Sequence, residues 1–304
     1  MRWEDCVSEY IEHIRLSMSC NTVRMRRCML SRISASMGHV NMSDLTIRDV
    51  QHMLLIVGDR VKMSSRAAYF YCLRHFLKWA SSRGYCDDLY MVIHVPRAPR
   101  REPRLPSGDV ICRILQWEPD ERGCKRSVNA RYRAWAVTSL LPLTGLRIGE
   151  MSRLTTDHVF LTETPYILVV GKGGHERRVP LSGKACSILR RYLEVRGSFP
   201  GPLFGSVYGL RYKPISSSGI HRDVRYVLEQ LGIPPFNPHL FRHWFATSLL
   251  EVGVDIRTVQ ELLGHSSLAS TQVYLHSSNT KKIMAVEKLA ARVTYVASYG
   301  GVVG

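Results

Sequence analysis

Apolar residues recur every three or four positions through most of the chain, a period that reads as a largely helical protein. In TVRMRRCMLSRISASMG, Val23, Met29, Leu30 and Ile33 fall on one side, with Arg24, Arg26, Arg27 and Arg32 elsewhere. Asn21 is placed to cap this helix and Gly38 to end it. A second helix over 64–83 turns Ala68, Tyr69, Leu73, Phe76, Leu77 and Ala80 inward, displays Arg66, Arg74 and Lys78, and stops at Gly84. Between the two, DLTIRDVQHML reads as an Asp-capped helix. Residues 1–95 are therefore expected to form a small all-helical domain with a basic exterior.

The pattern breaks at 96–106, PRAPRREPRLP, where four prolines set among arginines disfavour helix and strand alike. An exposed basic linker is expected there, leading to a second domain over 107–304. That part opens with helices over 107–116 and 130–141 and then changes period. In PYILVVGKGGHERRVPL, β-branched runs flank Lys172-Gly173-Gly174-His175, the mark of a hairpin. Helix resumes to residue 196, yields to a Pro-, Gly- and Ser-rich loop over 200–219, and returns towards the end. The expected fold class is mainly α with a small β-sheet or hairpin, α+β. Near the terminus, NTKKIMAVEKLAARV lines up Ile283, Val286, Leu289 and Ala290 on one helix face. Such an apolar stripe, within 279–304, suits either the chain's own core or a neighbouring subunit.

Composition narrows the class of function. The 304 residues carry 42 Lys plus Arg against 25 Asp plus Glu, a formal charge of +17, while 45% hydrophobic and 22% charged residues are ordinary globular values. Disordered and fibrous classes are excluded, so the basic surplus sits on a folded surface. Of the 42 basic residues 33 are arginine, whose fork grips phosphate bidentately and suits a polyanionic partner. No apolar run approaches a membrane span, and the first twenty residues interleave acids with bases, unlike the core of a signal peptide. A cytoplasmic protein with no membrane contact is expected. The eight cysteines never fall in CxxC spacing, so neither a zinc site nor disulfide staples are expected. GKGG also lacks the flanking residues of a nucleotide-binding loop. No cofactor is expected.

Three local patterns bear chemistry. In TGLRIGE, Arg147 opens a helix with Glu150 one turn later on the same face, and a helix start also favours an anion. In FNPHLFRHWFATSLLEVG, Asn237 caps, Pro238 takes the first helical position and Gly253 closes, so that His239 and Arg242 share one face. Leu240, Phe241, Trp244, Phe245 and Leu249 point inward from that helix. In DIRTVQELLGHSSLASTQVYLH, Asp255 caps a helix ended by Gly264, His265 follows in the turn, and a further short helix carries Tyr274.

TGLRIGE, GKGGHERRVPL, HLFRHWFAT and LLGHSSLASTQVYLH stand in that order over the C-terminal half. Together they resemble the tyrosine recombinase (phage integrase) family, in particular its compact Xer-like site-specific recombinases. The resemblance implies an N-terminal core-binding (SAM-like) domain ahead of a catalytic domain. It implies Tyr274 as nucleophile, Arg147 and Arg242 as phosphate clamps, Lys172 as the hairpin lysine, and His239 and His265 as the remaining active-site residues. Glu150 is then a supporting carboxylate. The implied partner is double-stranded DNA with paired inverted core sites, gripped by a C-shaped clamp. The implied assembly is a homotetramer in the synaptic complex and a monomer or dimer off DNA, with accessory proteins admitted and the segment 279–304 docking in trans. No further arm domain is expected before the helical one. Arg24, Arg27, Arg66 and Arg74 are the candidates for DNA reading.

Breaking a DNA strand at phosphorus needs a nucleophile, a counter to the charge gathering on the nonbridging oxygens, and a proton for the departing oxygen. A phenol of pKa about 10 needs a base, the role open to His239, and a field favouring phenolate. Two guanidiniums supply the positive charge a metal supplies elsewhere, and Lys172 supplies the proton. A covalent phosphotyrosine conserves the energy of the broken bond, so resealing needs no ATP. Two other readings share these residues: a topoisomerase-like nicking and closing enzyme, and a noncatalytic DNA-binding protein of the same fold. Demand for two specific sites separates the first from recombination. Formation of a covalent adduct separates the second.

Overall fold

Trp3, Cys6, Tyr10, Ile11 and Ile14 recur at helical spacing and are buried as the inner face of α1 (Trp3–Arg15). They open the first of two compact units, Met1–Glu102 and Pro103–Gly304. The computed structural model describes residues 1–35, 40–96, 104–171, 174–197, 199–208 and 211–264. Gly38, Lys172, His265, Tyr274, most of the proline–arginine stretch and the segment 279–304 lie outside the described residues. Among the described residues no helix is long and apolar enough to cross a membrane.

In the first unit α1 packs with α2 (Cys20–Ser34), α3 (Ile47–Arg60) and α4 (Met63–Ser82). Trp3 and Tyr10 meet Phe76 of α4 edge-on, at ring separations of 4.9 and 5.3 Å. Two caps differ from expectation. Ser19, not Asn21, caps α2 by accepting from the Thr22 amide at 3.3 Å, because Asn21 already lies inside the first turn, where its Oδ1 accepts from Arg24. Thr46, not Asp44, caps α3 through a reciprocal pair with Asp49, and Asp44 belongs to the preceding 3₁₀ turn. On α4, Ala68 is exposed rather than buried, being one position off the stripe that runs through Tyr69, Leu73, Phe76 and Ala80.

The second unit comprises α5 (Gly108–Gln116), α6 (Lys125–Thr144), α7 (Ile148–Met151), β1 (Val159–Phe160), β2 (Tyr166–Val170) and β3 (Glu176–Pro180). It continues with α8 (Gly183–Arg196), β4 (Gly205–Tyr208), β5 (Arg211–Pro214), α9 (Ser217–Gln230), α10 (His239–Glu251) and α11 (Ile256–Leu263). Helix α6 is central: residues 134–142 are buried on every side, and it packs against α8, α9 and α10. It begins five residues before the expected start, because its first turn is polar apart from Val128 and carries no apolar period. The expected hairpin forms, with Val170 opposite Glu176 and Tyr166 opposite Pro180, and β1 adds a short third strand. A second hairpin, β4–β5, occupies the stretch expected to be loop. A side chain at Gly205 would come within 2.4 Å of the Lys213 carbonyl, so the glycine that reads as loop in sequence is what lets these strands approach.

At the end of α6, Gly145 turns the chain with a left-handed φ of 62°, and a Cβ there would lie 2.4 Å from Phe245 of α10. That close approach sets α10 against the start of α7. With α11 packed on both α10 and β3, four chain segments converge on one place.

Candidate active site

Arg147 is the N-cap residue of α7, and its amide donates to Glu150 Oε2 at 2.9 Å. Its guanidinium donates through Nη1 to Oε1 of the same carboxylate at 2.8 Å. This arrangement is local, three residues apart on one turn. The remaining partners arrive from far along the chain. Arg177 of β3 forks Glu150, with Nη1 at 3.0 Å from Oε1 and Nη2 at 2.8 Å from Oε2. Arg242 of α10 brings Nη1 to 4.0 Å from Oε2. Among the described residues, three positive groups therefore surround one buried carboxylate. Burial pushes the Glu150 carboxyl upward, but the Arg177 bonds, the Arg147 amide and the Arg147 guanidinium outweigh it and hold the group down to about 2. It is ionised throughout the neutral range.

The same guanidiniums meet the end of α11, whose last carbonyls have no partner within the helix. Arg242 donates from Nη1 to the Gly145 carbonyl at 2.7 Å and from Nη2 to the Leu263 carbonyl at 2.6 Å. Arg147 approaches the Leu263 and Gly264 carbonyls, each at 3.4 Å. The side chain of Arg147 is 39% exposed and that of Arg242 6%, so Arg147 is the open edge of the cluster and Arg242 its floor.

His239 opens α10 one turn before Arg242, one residue later than the pattern predicts, with Pro238 in the cap position and the His239 amide donating to Asn237 Oδ1 at 3.0 Å. Although the residue keeps a solvent-exposed edge, partial burial and then the neighbouring His221, Arg242 and Arg147 lower its pKa from 6.5. The shift favours the neutral imidazole, the form that can accept a proton. Asp255 caps α11 by accepting from the Arg257 and Thr258 amides, and Gly264 ends it in the left-handed conformation.

The described structure thus brings together Arg147, Glu150, His239 and Arg242. Lys172 follows β2 in sequence, beyond Gly171, whose amide donates to the His175 carbonyl at 2.7 Å. His265 is the residue after Gly264, and Tyr274 lies further on. All three are outside the described residues. Of the DNA-reading candidates, Arg24, Arg27 and Arg74 are exposed, whereas Arg66 is half-buried with Nε donating to the Val61 carbonyl. Arg177 is the member that the sequence reading missed. A signal for it existed, since in ERRVP it falls on the same strand face as the buried Val179, and an inward arginine demands a carboxylate.

A sequence profile of the phage integrase family matches residues 113–281, more than half of the chain. The chain belongs to the phage integrase family. Among relatives, it is 37% identical to the tyrosine recombinase XerC of Alcanivorax borkumensis over 210 residues, which cover 67% of this chain and 66% of that protein. It is 30% identical to the XerC of Corynebacterium glutamicum over 298 residues, 94% of this chain and 92% of that one. The fold is also that of a lambda integrase dimer bound to a core site, at TM-score 0.70 and 18% identity over 92% of this chain and 97% of that one. A Tn1549 transposon integrase in complex with circular intermediate DNA matches at TM-score 0.69 and 17% identity, over 94% and 99% of the two chains. As a tyrosine recombinase the protein is an enzyme that cleaves and rejoins DNA, and its function is site-specific recombination.

Proposed function

We propose that this recombinase cuts a DNA strand by attack of the Tyr274 hydroxyl on a phosphodiester. The P–O5′ bond breaks and a 3′-phosphotyrosine link forms. Arg147 and Arg242 hold the nonbridging oxygens, and His265 adds a further hydrogen bond. His239 takes the phenol proton, and Lys172 gives a proton to the departing 5′ oxygen. Attack by a 5′ hydroxyl from another duplex reverses the step and completes exchange. The observation that carries this reading is the cluster of three guanidiniums around Glu150. Three guanidiniums gathered in this way suit a phosphodiester whose charge rises as it becomes five-coordinate, and His239, its pKa lowered, stands beside them.

The names of the curated Xer relatives favour recombination over simple nicking and closing. We extend the reading to the rest of the chain: residues 1–95 and the arginine–proline stretch grip the duplex, two inverted core sites are paired, and four subunits make up the synapse. A protein with this substrate acts in the cytoplasm, where the chromosome and mobile DNA are found. Phosphate contacts of this kind make affinity steeply salt-dependent.

The test is a duplex selected from random DNA by the protein's own binding, then nicked beside the cleavage position so that resealing is blocked. Incubation in EDTA is expected to yield a covalent adduct, with the nucleotide mapping by mass to the peptide that contains Tyr274. Bound DNA with no adduct, or an adduct on another residue, would overturn the reading. The pH profile supplies a second check. Because the base must be neutral and its pKa lies below 6.5, the single-turnover rate of adduct formation is expected to fall only as pH drops below that value. His221→Gln removes the first of the charges that lower it, so the acid limb should move up towards 6.5. An unmoved limb would show that burial rather than His221 sets the His239 pKa, and an acid limb retained in His239→Gln would exclude His239 as the titrating base.

A further inference from the structure

We propose that Arg177 is a positioning residue of the recombination site, fixing the end of α11, the element that precedes His265 in sequence, relative to Glu150 and the two phosphate clamps. The inference rests on the reading of Arg147 and Arg242 given above. Arg177 does not face outward as Arg147 does: its side chain is 12% exposed against 39%. Both of its terminal nitrogens are committed to the Glu150 carboxylate, and its Nε donates to the Leu262 carbonyl at 2.9 Å. A Cβ on Gly264 would lie 2.9 Å from Arg177 Nη1, so the helix end is packed directly on the guanidinium.

Three successive carbonyls at the end of α11 are thus met by three arginines. Leu262 is met by Arg177, Leu263 by Arg242 and Arg147, and Gly264 by Arg147. Carbonyls at a helix C-terminus are unsatisfied acceptors at the negative end of the helix dipole, which is why guanidiniums hold them well. Arg177 differs from the other two in the element that carries it. It belongs to β3, in the hairpin whose turn contains Lys172 in sequence. Through one side chain it ties that hairpin to the carboxylate beneath the clamps and to the helix that precedes His265. Its partners lie 27 and 85 residues away in sequence, so no local turn could supply the same link.

The test uses the full-length protein and the nicked, selected duplex. Arg177→Ala is expected to leave gel retention of the DNA unchanged and to slow single-turnover adduct formation about 100-fold, the scale on which a misplaced catalytic group costs rate. Arg177→Lys should recover only part of the rate, because one ammonium cannot both fork Glu150 and hold the Leu262 carbonyl. Millimolar guanidinium ion, but not ammonium, should partly restore the alanine variant, an effect that general loss of stability would not produce. Arg178→Gln removes a charge from the exposed face of the same strand and should cleave at the wild-type rate. Wild-type cleavage by both Arg177 variants, or full recovery by lysine, would overturn the inference. If Arg147→Gln abolishes cleavage while the Arg177 variants cleave normally, the inference alone fails. If Arg147→Gln also cleaves normally, the function reading fails with it.

Discussion

Arg242→Ala is expected to slow covalent adduct formation about 100- to 1000-fold at saturating protein, with the DNA still retained in a gel. That range is what loss of one preorganised donor to developing negative charge costs, about 2.7 to 4 kcal/mol. Binding is spread over many phosphate contacts and hardly registers one of them. Arg242 also has a structural task, since its two terminal nitrogens serve the Gly145 and Leu263 carbonyls and it is 5% exposed. Removing it takes the donor from the Gly145 carbonyl and leaves the Leu263 carbonyl only the longer contact from Arg147, and a buried acceptor without a partner costs about 1–3 kcal/mol. A drop in Tm is therefore expected alongside the loss of rate. Arg242→Lys separates the two effects: it keeps the charge and one carbonyl contact, so Tm should largely recover while cleavage stays slow, because an ammonium cannot fork two oxygens. Wild-type cleavage by the alanine variant would remove Arg242 from the reaction.

The second large effect concerns Glu150, and it is one of stability. With its carboxyl lowered from 4.5 to about 2, the ionised form contributes about 3 kcal/mol to folding at neutral pH. The folded pKa lies below the unfolded one, so this contribution is complete above pH 4.5 and is lost as pH falls from 4.5 towards 2. Glu150→Gln should accordingly be about 3 kcal/mol less stable than the wild type in urea unfolding at pH 7, the usual scale for uncovering buried charge, here the guanidiniums of Arg177 and Arg242. The gap between the two proteins should narrow steadily below pH 4.5. An equal gap at pH 7 and pH 3 would show that shape, not charge, is what Glu150 supplies.

Short-range features were the legible ones. The Arg147–Glu150 pair, the Asn237 bond to the His239 amide and the Asp255 cap before α11 each close within one helical turn, and spacing alone reveals them. The β2–β3 hairpin was legible for a related reason, since its strands are joined by a turn of a few residues and their apolar alternation agrees. Failures followed from competition between equivalent local signals. Ser19 and Asn21 are both good caps, as are Asp44 and Thr46, and which one starts the helix depends on where the incoming chain is held. The second hairpin was hidden because Gly205 serves as a strand residue under a close backbone neighbour, a circumstance invisible until the neighbour is in place.

By itself, then, the sequence determined a mainly helical chain with a small sheet, the local caps and i,i+3 pairs, and through four ordered motifs its membership in a family of DNA strand transferases. Only the tertiary structure decided that Arg177 shares Glu150 with Arg147 and Arg242, that these arginines take up the last carbonyls of α11, and that Arg242 is floor rather than rim. The physical reason is one of range. A hydrogen bond within a turn is specified by residues a few positions apart, whereas a buried arginine's partner is whatever carboxylate or orphan carbonyl the packing of separate helices and strands brings within 3 Å, and no spacing in the chain records that choice.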